Sequence, residues 1–440
     1  MMKIATRLLS VAVVLAIGTA WCQVDSGVIP IADRDSESRM ITPALAGGSG
    51  ELFSLEKPRT NYLRGGVTFA SAYDDNVLSV AEKPVNDVSY SVSPSISLDM
   101  TRARLGLDLT YSPGFTMYQR TTAHNQADHN VSVDVAYRLS PHVTFSGRDS
   151  FLKTSNFFNQ FSQSGLESTP TPPDRPNQVV APLADQISNL SNVGITYQFG
   201  LNSMIGASGT FSELHYPNRS EIPGLFDSSA KGAQAFYNHR FSKMHYLGVT
   251  YKFQDLLADP STTQTRTHAA LVFYTLYLEP AVFISVFAGP EYSETDGGVT
   301  APFKMWSPGA GASFQWQGVR TNFVMNVVRQ VSEGGGLASA VRALTAGLSL
   351  RRQLTAKLTA GVMANYASSE VLDSSLSNSG GHTISGTASL ERLLGQHLAL
   401  DIGYTHLHQN FAAVAQIANA PDRNRVWGSI SYRFERPLGR

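Results

Sequence analysis

The chain has 440 residues, 42% hydrophobic and only 15% charged, well under the roughly 25% charge usual for soluble domains. Lys plus Arg equals Asp plus Glu at 34 each, so no whole-protein field exists to draw in nucleic acid or an acidic membrane surface. The length admits either several soluble domains or one large sheet closed on itself, and the shortage of charge has to be explained.

Lys3 and Arg7 precede an apolar run from Leu8 to Ile17, and small Ala20 and Cys22 then fit a cleavage site. That order predicts a secretory signal over residues 1–22. Cys22 also suits lipid attachment, although bulky Trp21 stands where a lipobox needs a small residue. Because Cys22 is the one cysteine, cleavage after it leaves no thiol for disulfides or for catalysis. Further along, no run approaches the roughly 18 apolar residues of a membrane helix. Residues 23–62 mix charge, Pro and Gly without either structural period; they predict a flexible periplasmic leader, too short for a folded plug.

From Leu63 onward, apolar and polar residues alternate. Val88, Tyr90, Val92, Ile96, Leu98 and Met100 stand against Ser and Asp; Leu105, Leu107, Leu109 and Tyr111 against Gly106, Asp108 and Thr110; Val131, Val133, Val135 and Tyr137 against Asn130, Ser132 and Asp134. The same period continues through Val193 to Phe199, Leu247 to Phe253, Val282 to Val286, Leu358 to Val362, Leu398 to Tyr404 and Val426 to Phe434. Period two over about ten residues predicts a strand, and about eighteen such segments fit between residues 63 and 440. Pro94 interrupts one of them, where a bulge is expected.

The connections alternate in length. Tight links at 101–102, 140–142, 200–202, 242–243, 279–280, 317–318 and 394–396 are interleaved with longer polar stretches at 112–128, 153–186, 215–230, 256–265, 293–303, 367–380 and 409–423. An up-and-down meander with all tight turns at one end is the rhythm of an outer-membrane barrel. Aromatic residues gather near both ends of the segments: Tyr137, Phe199, Phe241, Tyr277, Trp316 and Phe434 beside the tight turns, and Tyr73, Tyr111, Phe151, Tyr251, Tyr292, Tyr366 and Tyr404 toward the long loops. Such girdles mark the two water–lipid boundaries. The expected fold is therefore all-β, a transmembrane antiparallel up-and-down barrel of about 18 strands whose apolar rows face lipid and whose polar rows face a wet lumen.

Candidate pore-lining residues follow from the polar rows: Asp99, Arg104, Asp108, Asp134, Arg138, Arg148, Arg240, Lys252, Asn322, Asn326, Arg342, Asp401 and Arg433. They either tie the wall together in pairs or tune which solutes pass. Phe157, Phe158 and Phe161 make the longest loop too apolar to hang in water; they are expected to fold inward as a constriction, the alternative being a variable outward loop. Asp74, Asp75 and Asn76 suit a turn and cap better than a calcium site. His406 and His408 share a face with metal-like spacing but lack an evident third ligand. Neither Gly-x-Ser-x-Gly nor His-Glu-x-x-His occurs, so no catalytic residue, metal or cofactor is assigned; a barrel hydrolase and a structural or adhesin barrel with a filled lumen stay as alternatives to a channel. Gly309 and Gly311 read as small strand residues rather than a phosphate loop.

"GVTFASAYDDNVLS" at 66–79, with "YSPGFTMYQ" at 111–119 and "YRLSPHVTFSGRDSF" at 137–151, resembles the beta-barrel porin 2 family of Gram-negative outer-membrane proteins. The resemblance covers the chain from about residue 64 onward. It implies a monomeric channel or polysaccharide-linked porin with no catalytic residues to carry over. For a barrel of this kind the expected partners are outer-membrane lipid, the barrel-assembly machinery and hydrophilic solutes or polysaccharide. The chain departs from the usual barrel ending, because "ERPLGR" follows Phe434.

Overall fold

Eighteen antiparallel strands pair in chain order, and the first closes on the last. They are β1 Asn61–Asp74, β2 Asp87–Thr101, β3 Leu105–Tyr118, β4 Gln126–Arg138, β5 Val143–Thr154, β6 Gln186–Gln198, β7 Ser203–His215, β8 Asp227–Arg240 and β9 His245–Asp259. Continuing round are β10 Thr263–Glu279, β11 Val282–Asp296, β12 Phe303–Gln317, β13 Thr321–Ser332, β14 Val341–Thr355, β15 Leu358–Val371, β16 Gly381–Leu393, β17 Leu398–Phe411 and β18 Asp422–Pro437. The computed structural model describes residues 61–438 apart from 81, 123–124, 155–184, 222–223, 262, 280, 298–301, 338–339, 373–379 and 413–421. The secretory signal, the leader up to residue 60 and Phe157, Phe158 and Phe161 lie outside the described residues.

Each strand turns one row of side chains out and the other in, because successive Cβ atoms point to opposite faces. Phe69, Tyr90, Ile96, Val193, Val249, Val272, Ile402 and Val426 are exposed, whereas Ala72, Ser89, Thr116, Thr250 and Ser285 on the other rows are buried. The apolar face is thus the outer one, the inverse of a soluble sandwich. Closure matters for such a surface, since an open edge in hydrocarbon leaves backbone groups unpaired at several kcal/mol each, on the order known for unsatisfied buried groups.

The last strand is joined to the first by side chains as well as by the ladder. The buried Asp74 carboxylate accepts from Arg423 Nε at 2.7 Å and Nη2 at 2.6 Å, and its other oxygen accepts from the Asn76 amide at 3.1 Å. Asp75 accepts from the backbone and side chain of Asn424 at 2.7 and 2.6 Å, while the Asn76 side chain bonds Val80 and the Asp422 carbonyl. The three residues therefore act as a turn and cap that also locks β1 to β18.

Four details differ from the expectations. Register across Pro94 is unbroken, with Val92 opposite Phe115 and Ile96 opposite Tyr111; Pro94 faces Pro113, so the ladder loses bonds locally without inserting a residue. Tyr277 faces inward, edge-on to Tyr246 with ring centroids 5.4 Å apart, and does not join the outer girdle. The stretch 256–265 is a tight connection, because β9 runs to Asp259 and β10 starts at Thr263. A longer connection, 333–340, joins β13 to β14 where none was expected.

Inward rings are laid flat over glycines on neighbouring strands. A Cβ on Gly248 would stand 2.2 Å from the Phe273 ring, and one on Gly311 would stand 2.1 Å from the Phe287 ring. Cross-strand glycine gives the aromatic face a surface to cover, which keeps Phe273 and Phe287 against the wall rather than projecting across the lumen.

Candidate functional site: the lumen and an inward-folded hairpin

The predicted polar residues fall mostly on inward rows. Asp99, Asp108 and Asp134 are directly opposed on β2, β3 and β4, and Arg148 on β5 continues the row, its Nε 3.7 Å from Asp134 Oδ1. Like charges opposite one another oppose pairing, so the adjacent guanidinium offsets part of that repulsion. Arg138 closes β4 on the inward row, opposite Thr144. Arg240 is drawn to the short-turn rim, donating to Asn202 Oδ1 at 3.1 Å and the Leu201 carbonyl at 2.7 Å. Asn322 and Asn326 face inward on β13 opposite Gln317 and Ser313. Arg104 lies in the exposed turn before β3.

Lys252 and Glu291 flank Ala269 across β9, β10 and β11, bringing an ammonium and a carboxylate to one level of the wall. A second mixed group joins Glu391 and Asp401, directly opposite each other, to Arg351, whose Nη2 is 4.0 Å from Glu391 Oε2. Arg433 faces the same side of the lumen from β18. Glu391, Arg351 and the buried Arg423 and Arg425 of β18 were not among the predicted lining residues, although their inward positions follow from strand parity.

Arg342 departs from its expected place for an informative reason. It lies on the same row of β14 as exposed Leu344, yet it donates to Met305 Sδ of β12 at 2.9 Å and Glu370 Oε2 at 3.0 Å. Pairing of β12 with β13 stops at Ala310 and Arg329, short of the ends of both strands. Beyond that point β13 and β14 bend into the barrel: the Val331 amide donates to Glu291 Oε2 on β11 at 3.2 Å, and Val331 packs with Ala230, Leu256, Ala340 and Leu372. The face of β13 and β14 that would otherwise meet the exterior is turned toward inward side chains of β8, β9 and β12.

The tip of this hairpin reaches elements several strands away in the ring. Leu337, fully buried, joins Val341, Ala343 and Phe411 with Leu214 of β7 and with Tyr216 and Leu225 of the β7–β8 connection. The Phe226 amide donates to the Gly336 carbonyl at 2.9 Å, and Ser212 Oγ donates to Glu333 Oε2 at 3.2 Å. Gly335 and Gly336 have φ of 60° and 109°, values that side chains with a Cβ rarely adopt, so the glycine run at 334–336 makes the bend. The receiving connection is itself stapled, since Arg219 binds Asp227 Oδ2 at 2.8 Å and Asp259 Oδ2 at 2.9 Å. The hydrogen bond to Asp259 holds the Arg219 guanidinium above its usual range, and Asp227 adds to this. The only sequence signal for the inward segment was "EGGGL" at 333–337, which announces a turn without its direction.

On the outer face, His406 Nδ1 is 2.9 Å from Asn424 Oδ1 and His408 Nδ1 is 2.6 Å from Asp422 Oδ1, so both are held to β18. No group of three or more His, Cys, Asp or Glu that could hold a metal occurs among the described residues.

No protein-family profile matches the chain, and no curated protein matches it. Among solved structures it is similar to the outer membrane protein OpdK of Pseudomonas aeruginosa, with 11% identity, 85% of this chain and 99% of that chain covered, and a TM-score of 0.42. OccK2 (OpdF) of the same organism gives 11% identity, 86% and 98% coverage and a TM-score of 0.43. A BenF-like porin from Pseudomonas fluorescens Pf-5 gives 11% identity, 86% and 100% coverage and a TM-score of 0.42. Likeness at this level assigns no substrate.

Proposed function

We propose that this chain is a Gram-negative outer-membrane channel for hydrophilic solutes, with the β13–β14 hairpin setting the width of the passage. The observation that carries the reading is the inverted barrel: rows of exposed Val, Leu, Ile and aromatic side chains outside, and Asp, Arg, Asn, Ser and Thr inside a ring of 18 strands. Barrels of this size leave an aqueous interior, and inserting one implies processing by the barrel-assembly machinery. Short hydrophilic solutes and polysaccharide strands both suit a lumen lined by charges and amides; the polysaccharide option rests on the family resemblance.

A filled-lumen scaffold is the second reading. It is favoured by the burial of inward side chains throughout the long-loop half, including Asp74, Thr116, Asp128, Thr265, Ser293, Thr405 and Arg423. Planar-bilayer recording and liposome swelling with graded sugars separate the two. Flux through the wild type, rising when 333–337 is replaced by a two-residue turn, supports the channel. No flux through either protein supports the scaffold.

A further inference from the structure

The outer face is not uniform. On β2 and β3 every outward position is apolar, from Val88 to Met100 and from Leu105 to Met117. On β5 and β6 the outward row instead carries Asp149, Ser191 and Asn189. Asp149 accepts hydrogen bonds from the Ser191 hydroxyl and, at 3.3 Å, from the Asn189 amide, and Ser191 also reaches Asn189 Oδ1 at 3.0 Å.

This network lies inside the apolar band rather than at its rim. Asp149 is directly opposite Val133, the middle of the three outward valines of β4, and Phe151 follows it on its own strand. Ser191 is opposite Phe211, and the next outward residues on β6 are Val193 on one side and, past Asn189, Ile187 on the other. Acyl chains offer no hydrogen-bond partner to a carboxylate or an amide at that depth.

Among the large outward residues around it stand five small ones, Gly147 on β5, Ala207 and Gly209 on β7, and Ala233 and Ala235 on β8. They would let another backbone approach closely. Charges of both signs border the patch, with Lys153 beyond Phe151, Glu213 beside Asn189, and Lys231 opposite Phe211.

We infer that the outer face of β5–β8 is the contact surface for a second copy of this chain within the membrane. A second copy sits at the same depth by construction. It presents the same donors and acceptors and the same mixture of Lys and Glu, which a twofold arrangement can pair. A lipid tail or a uniformly apolar partner offers no polar surface to this hydrogen-bonded network or to the charges that border it. The inference rests on the membrane-embedded reading of the barrel, and it departs from the monomer that the family resemblance implies.

The test uses the full chain in isolated outer membranes. Ser191→Cys, on the patch, and Val92→Cys, on the uniformly apolar β2 face, are oxidised side by side with wild type. The expected result is a disulfide-linked species of twice the protomer mass for Ser191→Cys alone. Wild type extracted in mild detergent should have twice the protomer mass, and Asp149→Val combined with Ser191→Val and Asn189→Leu should reduce it to one protomer while retaining the heat-modifiable migration of a closed barrel. Equal cross-linking at both positions, none at Ser191→Cys, or a wild-type mass of one protomer with or without bound lipid overturns the inference. If the triple variant does not fold, the cysteine pair and the wild-type mass still decide. Failure of the membrane reading is separately visible as release of the protein by alkaline carbonate.

Discussion

Truncating Leu337 isolates the contribution of the inward hairpin to closure. Its side chain is fully buried in a cluster with Leu214, Tyr216, Leu225 and Phe411 of other elements and Val341 and Ala343 of its own hairpin, so Leu337→Ala removes contacts to those other elements that exist only while the hairpin is folded inward. Large-to-small changes at such sites cost about 2–5 kcal/mol. Taking about 2–3 kcal/mol as the part lost from the inward state, the ratio of displaced to inward hairpins rises roughly 30- to 150-fold, at tenfold per 1.4 kcal/mol. The barrel wall is left intact, since Leu337 is not part of a strand. Single-channel recording in planar bilayers reads this as a rise in open probability or in the time spent in the larger conductance level. Glu291→Gln is the matched control, because an amide oxygen can still accept from the Val331 amide; its effect should be several-fold smaller. Identical traces for wild type, Leu337→Ala and the 333–337 replacement would show that the hairpin does not limit passage.

Asp74→Ala strips the seam of a carboxylate and leaves the Arg423 guanidinium buried without that partner; a loss of about 3–5 kcal/mol is expected, read as a lower temperature for conversion to the unfolded electrophoretic form, and an unchanged temperature would remove the seam's importance. Ile96→Arg places a charge on the outer face, where about 2–4 kcal/mol is expected near mid-bilayer, whereas inward Ser97→Arg should fold into vesicles nearly as well as wild type; equal folding of the two would refute the inside–outside assignment. Gly403→Ala brings a Cβ within 2.4 Å of the Trp427 ring, an overpacking cost of about 1–3 kcal/mol. Adding Trp427→Ala should restore most of the loss, and failure of that rescue in thermal unfolding would mean the strain lies in the backbone instead.

Strand number, barrel class and the facing of most side chains were legible in the sequence because they are local. Alternation at Val131–Tyr137 or Leu398–Tyr404 tells which residues share a face, and the alternating lengths of the connections tell that neighbours pair in order. Asp74, Asp75 and Asn76 were recognisable as turn formers for the same reason, though not their bonds to Arg423 and Asn424, some 350 residues away. The direction taken by residues 333–340 was decided only in three dimensions: three glycines permit a bend either way, and the inward one wins through contacts with Leu214, Leu225 and Phe411 on distant elements. Register likewise decided that Tyr277 faces Tyr246 inside, that Phe273 and Phe287 cover glycines on adjoining strands, and that Asp149 meets Ser191 on the lipid side. Period two divides residues between two faces, but which residues become neighbours across strands depends on pairing between segments distant in the chain, and a local pattern does not encode that pairing.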